Sequence, residues 1–284
     1  INAGLVGSEM CIRDSIMNGH PTLDNKTYDM YHKNLFHTKL INMDIVSPEP
    51  YRLNEYFNQK CDIAQAFDML INKKGIRELP APTLILSKEE LLEGRKAIDG
   101  IKKKVKKEKL VIIQPFGRAI TQIDNSFVDK SNRSIEFSNL KQIIKKLQEK
   151  DWAVCIMSEF GIEFKDAGFK DEVALPEIPD LRKWAGLIKY ADHFLGCDSV
   201  GQHLAKAMET PASVVMGATY PINTSYPNDK NFTIIDMGQF DREYDPIRIS
   251  FDERISRKHE RIMTMTPEIE DYVVSAVNGD PIEE

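Results

Sequence analysis

Asp198-Ser199-Val200-Gly201-Gln202-His203 places a carboxylate, a hydroxyl, an amide and an imidazole within six residues, between two apolar runs. At the end of a strand, with the histidine one turn into the next helix, such groups form the layout of an α/β ligand-binding edge. His193-Phe194-Leu195-Gly196-Cys197 is too short and too apolar for a solvent-facing helix, so it reads as a buried parallel strand. Ser199 is then the expected N-cap, Leu204, Ala207 and Met208 share one helical face, and Pro211 forbids continuation. A helix starting at a strand's carboxyl end turns its first free N–H groups and the positive end of its dipole toward the crevice, which favours a phosphate or another anion. The G-x-G-x-x-G of a dinucleotide site is absent, so the expected anion site is of a different kind. Plain capping by Asp198 or Ser199, with His203 as an ordinary hydrogen-bonding residue, accounts for the same residue types.

The elements that must position these groups are drawn from 284 residues, enough for two ordinary domains or one large one. A net charge of −6 gives no general affinity for nucleic acid. The basic run Lys102 to Lys107 reads as a solvated linker face. Cys11, Cys61, Cys155 and Cys197 form no CxxC pair and are expected as free thiols of a reducing compartment. His20, His32, His37 and His259 have no metal-ligand spacing, so no metal and no cofactor are expected. No stretch approaches the ~20 apolar residues that span a bilayer, and the start lacks a signal peptide's pattern, so a cytoplasmic location is expected. Residues 1–15, INAGLVGSEMCIRDS, resemble translated adapter read-through and are expected to be a non-native leader replacing the true beginning.

Residues 16–107 read as the partial remainder of one domain and its connection. Within it, Tyr51 to Lys73 holds a predicted helix with Phe57, Ile63, Ala64 and Phe67 as its apolar side, and Thr83 to Leu86 an edge strand. Ser87-Lys88-Glu89-Glu90 is a capping box opening a helix that reaches Ile101. Residues 108–240 change rhythm. Strands are predicted at Lys109 to Pro115, Trp152 to Met157, the His193 run, Ala212 to Gly217 and Phe232 to Ile235. A polar loop from Arg118 to Ser134, a helix carrying Phe137, Leu140, Ile143, Ile144 and Leu147, and a helix capped by Asp180 separate them. Alternating strand and helix predict an α/β, doubly wound parallel sheet. Residues 241–284 are an extension ending in a helix over Pro267 to Val277.

With these elements in order, Leu110 to Tyr226 resembles the nucleotide-sugar domain of glycosyltransferase family nine, the heptosyltransferase family. The matching phrases are Ile113-Gln114-Pro115-Phe116-Gly117, Leu181 to Ile188 with Ala191-Asp192, Gly196-Cys197-Asp198-Ser199 with His203-Leu204-Ala205, and Gly217 to Pro221. The resemblance implies a GT-B fold, with a Rossmann-like C-terminal domain beside a partial N-terminal one, and no obligatory metal. It implies a nucleoside-diphosphate sugar donor, a glycan or lipopolysaccharide-type acceptor, inversion at the anomeric carbon, and peripheral membrane association through a lipid-linked acceptor. Asp198, Ser199, Gln202 and His203 are implied to contact the donor's diphosphate and nearby sugar, and each lost donor group would cost ~3 kcal/mol in the transition state. Arg133 and Lys130 match the position of a phosphate-binding cation, Arg133 being nearer the helix start. Glu159 matches an acidic position for the ribose or base, while Gly117 and Thr219 would meet the ligand or serve as plain turn residues. The family's general base, usually an Asp in the first turn of the N-terminal domain, has no match. Asp14 lies in the leader, no catalytic residue is assigned, and weak donor binding with little or no transfer is expected of the chain as written. The alternatives are a nucleotide-sugar 2-epimerase-like enzyme and a non-catalytic nucleotide-binding α/β module.

Overall fold

The computed structural model describes residues 16, 19–21, 33–43, 46–117, 120–123, 126–129, 131–159, 161–164, 168–240, 242 and 261–281. Residues 1–15, including Asp14 and Cys11, lie outside the described residues.

Five apolar runs form one parallel sheet: β1 (Lys109–Gln114), β4 (Trp152–Ile156), β5 (His193–Cys197), β6 (Ala212–Met216) and β7 (Phe232–Asp236). Their order is β4-β1-β5-β6-β7, with Val111 beside His193 and Phe194 beside Ala212. The β-branched and apolar residues of β1 are buried from Leu110 onward because both sheet faces are covered. Alternation then divides them. Val111 and Ile113 join a core with α5 (Phe137–Glu149) and α9 (Pro267–Asn278), while Leu110 and Ile112 pack toward α4 (Lys88–Val105), α6 (Leu181–Tyr190) and α7 (Val200–Met208). Helices on both faces make the sheet doubly wound, as the alternation predicts. The chain runs from β1 outward to β4 and returns across β1 to β5, so strand order reverses between β1 and β5. In such sheets the crevice at that reversal, beyond the carboxyl ends, is where ligands bind.

The support beneath this edge is tightly built. The α4 start carries the expected box, Ser87 Oγ accepting from Glu90 N at 3.2 Å and Glu90 Oε2 accepting from Ser87 N at 2.7 Å. Glu90 also accepts from Arg182 Nε at 2.6 Å and Nη2 at 2.8 Å, and this guanidinium holds the Glu90 carboxyl at about 2. Above the pair, α4 and α6 cross so closely that a Cβ on Gly94 would stand 2.3 Å from Gly186 O. Only glycine fits there. Asp180 caps α6 by accepting from Arg182 N at 2.8 Å. The helix over Pro267–Asn278 packs on α5, tied by Asn139 Nδ2 to Glu270 Oε1 at 2.8 Å.

Four expectations are corrected. Thr83 to Leu86 forms no strand; the sheet's β4 and β7 edges do not receive it, and Leu84 and Leu86 serve as packing for the α4–α6 core. The helix over Tyr51 to Lys73 is broken into a 3-10 turn (Pro50–Arg52), a short α2 (Asn54–Phe57) and α3 (Ile63–Asn72), following the four-residue α1 (Leu35–Thr38). Gln59 stands at φ 57°, left-handed, and Asp62 restarts the helix with its own capping box, so the buried residues are Tyr56, Cys61 and Ala66 while Phe57 stays 39% exposed. The stretch from Arg118 to Ser134 contains an antiparallel hairpin, β2 (Ile120–Ile123) with β3 (Ser126–Asp129). Last, the basic run is the end of α4 rather than a linker; its Lys103, Lys104 and Lys106 stay exposed, as expected, while Lys102 binds Asp192 at 2.6 Å, Lys104 binds Glu172 at 2.7 Å, and Lys107 pairs with Asp151 and Asp171. Its lysines close α4, where positive charge suits the helix dipole. Among the described residues no helix is long and apolar enough to cross a membrane.

Candidate functional site

The carboxyl ends of β1 and β5, the loop after β3 and the loop after β6 converge at the strand-order reversal. From β1, Gln114 turns its side chain across to β5 and α7, where Oε1 accepts from Gly201 N at 2.7 Å and Nε2 donates to Ser199 Oγ at 3.0 Å. The approach requires glycine at 201, since a Cβ there would lie 2.3 Å from Gln114 Oε1. Ser199 is therefore the N-cap residue by position but not by side chain. The expectation that the first N–H groups of α7 face an open crevice is corrected at Gly201, whose N–H Gln114 already fills.

After β3, Asp129 organises the loop that presents Arg133. Its Oδ1 accepts from Ser131 N at 2.6 Å and from Ser131 Oγ at 2.5 Å, and its Oδ2 accepts from Ser134 N at 2.9 Å, Ser134 Oγ at 2.6 Å and Arg133 N at 3.2 Å. Burial opposes ionisation of this carboxyl, yet the hydrogen bonds outweigh it and hold the group below the usual carboxylate range. Ser134 Oγ in turn accepts from Gly117 N at 2.9 Å, which links the loop to the end of β1. Arg133, 28% exposed at its side chain, is steered by Nε donating to Ser131 Oγ at 3.2 Å and has Nη1 3.9 Å from Asp198 Oδ2.

Asp198 faces inward. Its Oδ2 accepts from Thr219 Oγ1 at 2.7 Å and its Oδ1 from Gln202 Nε2 at 3.1 Å, and Gln202 Oε1 accepts from Ser225 Oγ at 2.6 Å. Asp198 is 5% exposed and Gln202 fully buried, so both side chains brace the strand end and the post-β6 loop. His203 is half-buried, with Nδ1 2.8 Å from the Tyr226 hydroxyl. Burial lowers the imidazole's pKa against the opposing pull of Asp198, and burial with Asp62 raises Tyr226 to about 12. Burial thus favours the neutral imidazole.

Of the residues singled out from the sequence, the structure gathers Gly117, Arg133, Asp198, Ser199, Gln202, His203 and Thr219 at this edge. Glu159 is exposed beyond β4, and Lys130 lies outside the described residues. Gln114, Asp129, Ser131, Ser134 and Tyr226 were not singled out for the site. Four of these carried a signal: Asp129-x-Ser131 with Ser134 is turn-forming spacing, and Gln114 is a polar residue closing a run that must be buried.

A cavity of about 560 Å³ lies beside this edge rather than in it, between the turn joining α2 to α3 (Lys60, Cys61, Asp62, Gln65) and residues 222–230 with Lys206. Asn223, next to the short α8 (Pro221–Thr224) start, fixes that wall by donating to Tyr56 O at 3.1 Å and Cys61 O at 2.8 Å. The cavity shares Tyr226 with the His203 contact, but its Lys206 is paired with Asp229. Convergent side chains locate the site more firmly than concavity, because the reversal edge is where backbone and charge meet.

No family model matches the chain, and no curated protein matches it. Among solved structures it is similar to the ADP-heptose lipopolysaccharide heptosyltransferase II of E. coli, at 13% identity and a TM-score of 0.50 over 77% of this chain and 61% of that one. It is likewise similar to a glycosyl transferase of family 9 from Veillonella parvula, at 10% identity and a TM-score of 0.53 over 78% of this chain and 61% of that one. The chain thus spans about 61% of the length of each. At these identities the likeness shows the fold, an α/β architecture of the GT-B type.

Proposed function

We propose that this chain carries the donor-binding part of a glycosyltransferase using a nucleoside-diphosphate sugar, with the diphosphate at the mouth of α7. The observation that carries the reading is the convergence of the Arg133 guanidinium and the Ser199 hydroxyl at the strand-order reversal, Arg133 steered by Ser131 of the loop that Asp129 organises and Ser199 held by the buried Gln114. In the reaction, an acceptor hydroxyl attacks the anomeric carbon, the bond to the diphosphate breaks opposite, the departing diphosphate takes the electron pair, and the hydroxyl proton passes to a base on the acceptor side, to which no residue is assigned. Charge therefore builds on phosphoryl oxygens, where Arg133 supplies a fork of N–H donors and Ser199 an O–H. Thr219, Asp198 and Gln202 act behind them as a brace, and His203 as a neutral donor or acceptor to the sugar. Gly117 lies beneath Arg133, where even a Cβ would stand at ordinary contact distances of 3.7 to 3.8 Å, so this turn does not demand glycine. Glu159, exposed beyond β4, is proposed toward the ribose, and Lys130 as a second cation for the phosphates. The acceptor, a glycan or lipid-linked glycan, would approach from the other side of the cleft.

A second reading, a nucleotide-binding module without turnover, is favoured by the inward-facing Asp198, whose two oxygens are both engaged within the protein. Thermal shift with ADP, GDP and UDP tests the shared premise. Binding to the folded state alone at a hundredfold excess over Kd stabilises by about 2.7 kcal/mol, and no shift with any of the three contradicts both readings. Incubation with nucleotide sugars then separates them: released nucleoside diphosphate supports the transferase, an epimerised donor the 2-epimerase-like alternative, and binding without either the module.

A further inference from the structure

The hydrogen bonds of Gln114 carry a consequence for Ser199 beyond its place in the proposed site. A backbone N–H can only donate, so the Gln114 atom 2.7 Å from Gly201 N is the amide oxygen, and the atom 3.0 Å from Ser199 Oγ is the NH2 group. That NH2 group donates and cannot accept. Ser199 Oγ must therefore accept from it, and the serine's own proton is turned away from Gln114. In most Ser-capped helices the hydroxyl oxygen accepts from an N–H of the first turn. Here the N–H of Gly201 is satisfied from β1, and Ser199 makes no side-chain cap.

Resting on the proposed donor site, we infer that Gln114 is a positioning residue: its NH2 group occupies one lone pair of Ser199 Oγ and leaves the serine proton directed to the ligand, favouring a ligand atom that accepts, an ionised phosphoryl oxygen. The device needs three residues on two strands and a helix. Gln114 ends β1, Ser199 follows β5, and Gly201 leaves room for the amide, since any Cβ there would meet both Gln114 Oε1 and the Phe194 ring. Gln114 does not itself touch the ligand. It acts through the serine hydroxyl, whose direction it sets.

Isothermal titration of whichever of ADP, GDP and UDP gives the largest thermal shift tests this with four chains: unaltered, Ser199→Ala, Gln114→Leu and the double variant. A hydrogen bond to a charged oxygen predicts roughly tenfold weaker binding for each single variant. If Gln114 works through Ser199, the double variant binds within about twofold of Ser199→Ala. Losses that multiply to roughly a hundredfold would show a merely structural role and overturn the inference while leaving the donor site standing, as would a Gln114→Leu chain that binds normally. Should Gln114→Leu fail to fold, Gln114→Glu retains an acceptor for Gly201 N–H but draws the Ser199 proton inward. Its loss must then shrink in the Ser199→Ala background, and an undiminished loss overturns the inference. An unaltered chain that binds no nucleoside diphosphate removes the donor site and this inference with it.

Discussion

Two helices of this protein begin on a serine and use it in opposite ways. At α4, Ser87 closes a reciprocal box with Glu90, and the same Glu90 grips Arg182 of α6. The polar partners at that start all lie within the protein. At α7, Ser199 occupies the same position but accepts from Gln114 of β1, and its helix receives an acceptor from a strand 87 residues away. Local capping marks an end that serves stability; capping from a distance frees the local side chain for something outside. The two carboxylates near α7 repeat the contrast, Asp129 arranging a loop so that Arg133 faces the edge while Asp198 is closed in by Thr219 and Gln202.

The contrast breaks most visibly where the structural start is cut. Arg182→Ala leaves Glu90 without its partner beneath the α4–α6 crossing and is expected to destabilise by about 3 kcal/mol in urea denaturation, against the entire stability of a typical domain of 5–15 kcal/mol. A loss below about 1 kcal/mol would mean that the box alone organises this end. Next in size is the pH response of β5, the strand that feeds α7. Burial lowers His193 from its usual value to about 4. The unfolded chain takes up this proton near pH 6.5 and the folded chain only near 4, so the unfolded state binds more protons in between. Stability from this group is therefore full above pH 6.5 and falls by about 3 kcal/mol at most as pH drops through 4. His193→Gln should flatten that slope in melts across pH 4 to 7; an unchanged slope would assign it elsewhere.

At the open start, Arg133→Ala is expected to weaken nucleoside-diphosphate binding about thirtyfold, with Arg133→Lys recovering only part because the ammonium lacks the planar fork. Equal binding by all three chains in calorimetry would remove Arg133 from the site. The smallest effect sharpens the comparison most. Ser87→Ala should cost about 1 kcal/mol of stability and leave nucleotide affinity alone, whereas Ser199→Ala should lower affinity with the melting point nearly unmoved. Reversal of that pattern would make Ser199 the structural cap.

The sheet was legible because buried parallel strands read as unbroken apolar runs, and all five are where Leu110 to Ile113, Trp152 to Ile156, Phe194, Val214 to Met216 and Phe232 place them. Caps with local partners were equally legible, as at Ser87 and Asp180. What escaped had weak local patterning or depended on contacts distant in sequence. Ile120–Ile123 and Ser126–Asp129 are too short and polar to announce a hairpin, and Thr83 to Leu86 has a strand's residues but no free sheet edge in register with them. The resemblance pointed to Arg133, and the structure places it at the edge. The role of Gln114 was not legible, because a polar side chain's partner across a sheet has no spacing to read.

The most direct measurement is a crystal structure of the chain soaked with the nucleoside diphosphate that stabilises it best. The account predicts phosphoryl oxygens within hydrogen-bonding distance of Arg133 and Ser199 at the mouth of α7. Density for the diphosphate in the neighbouring cavity at Lys60, Lys206 and Lys230, with Arg133 and Ser199 untouched, would contradict it.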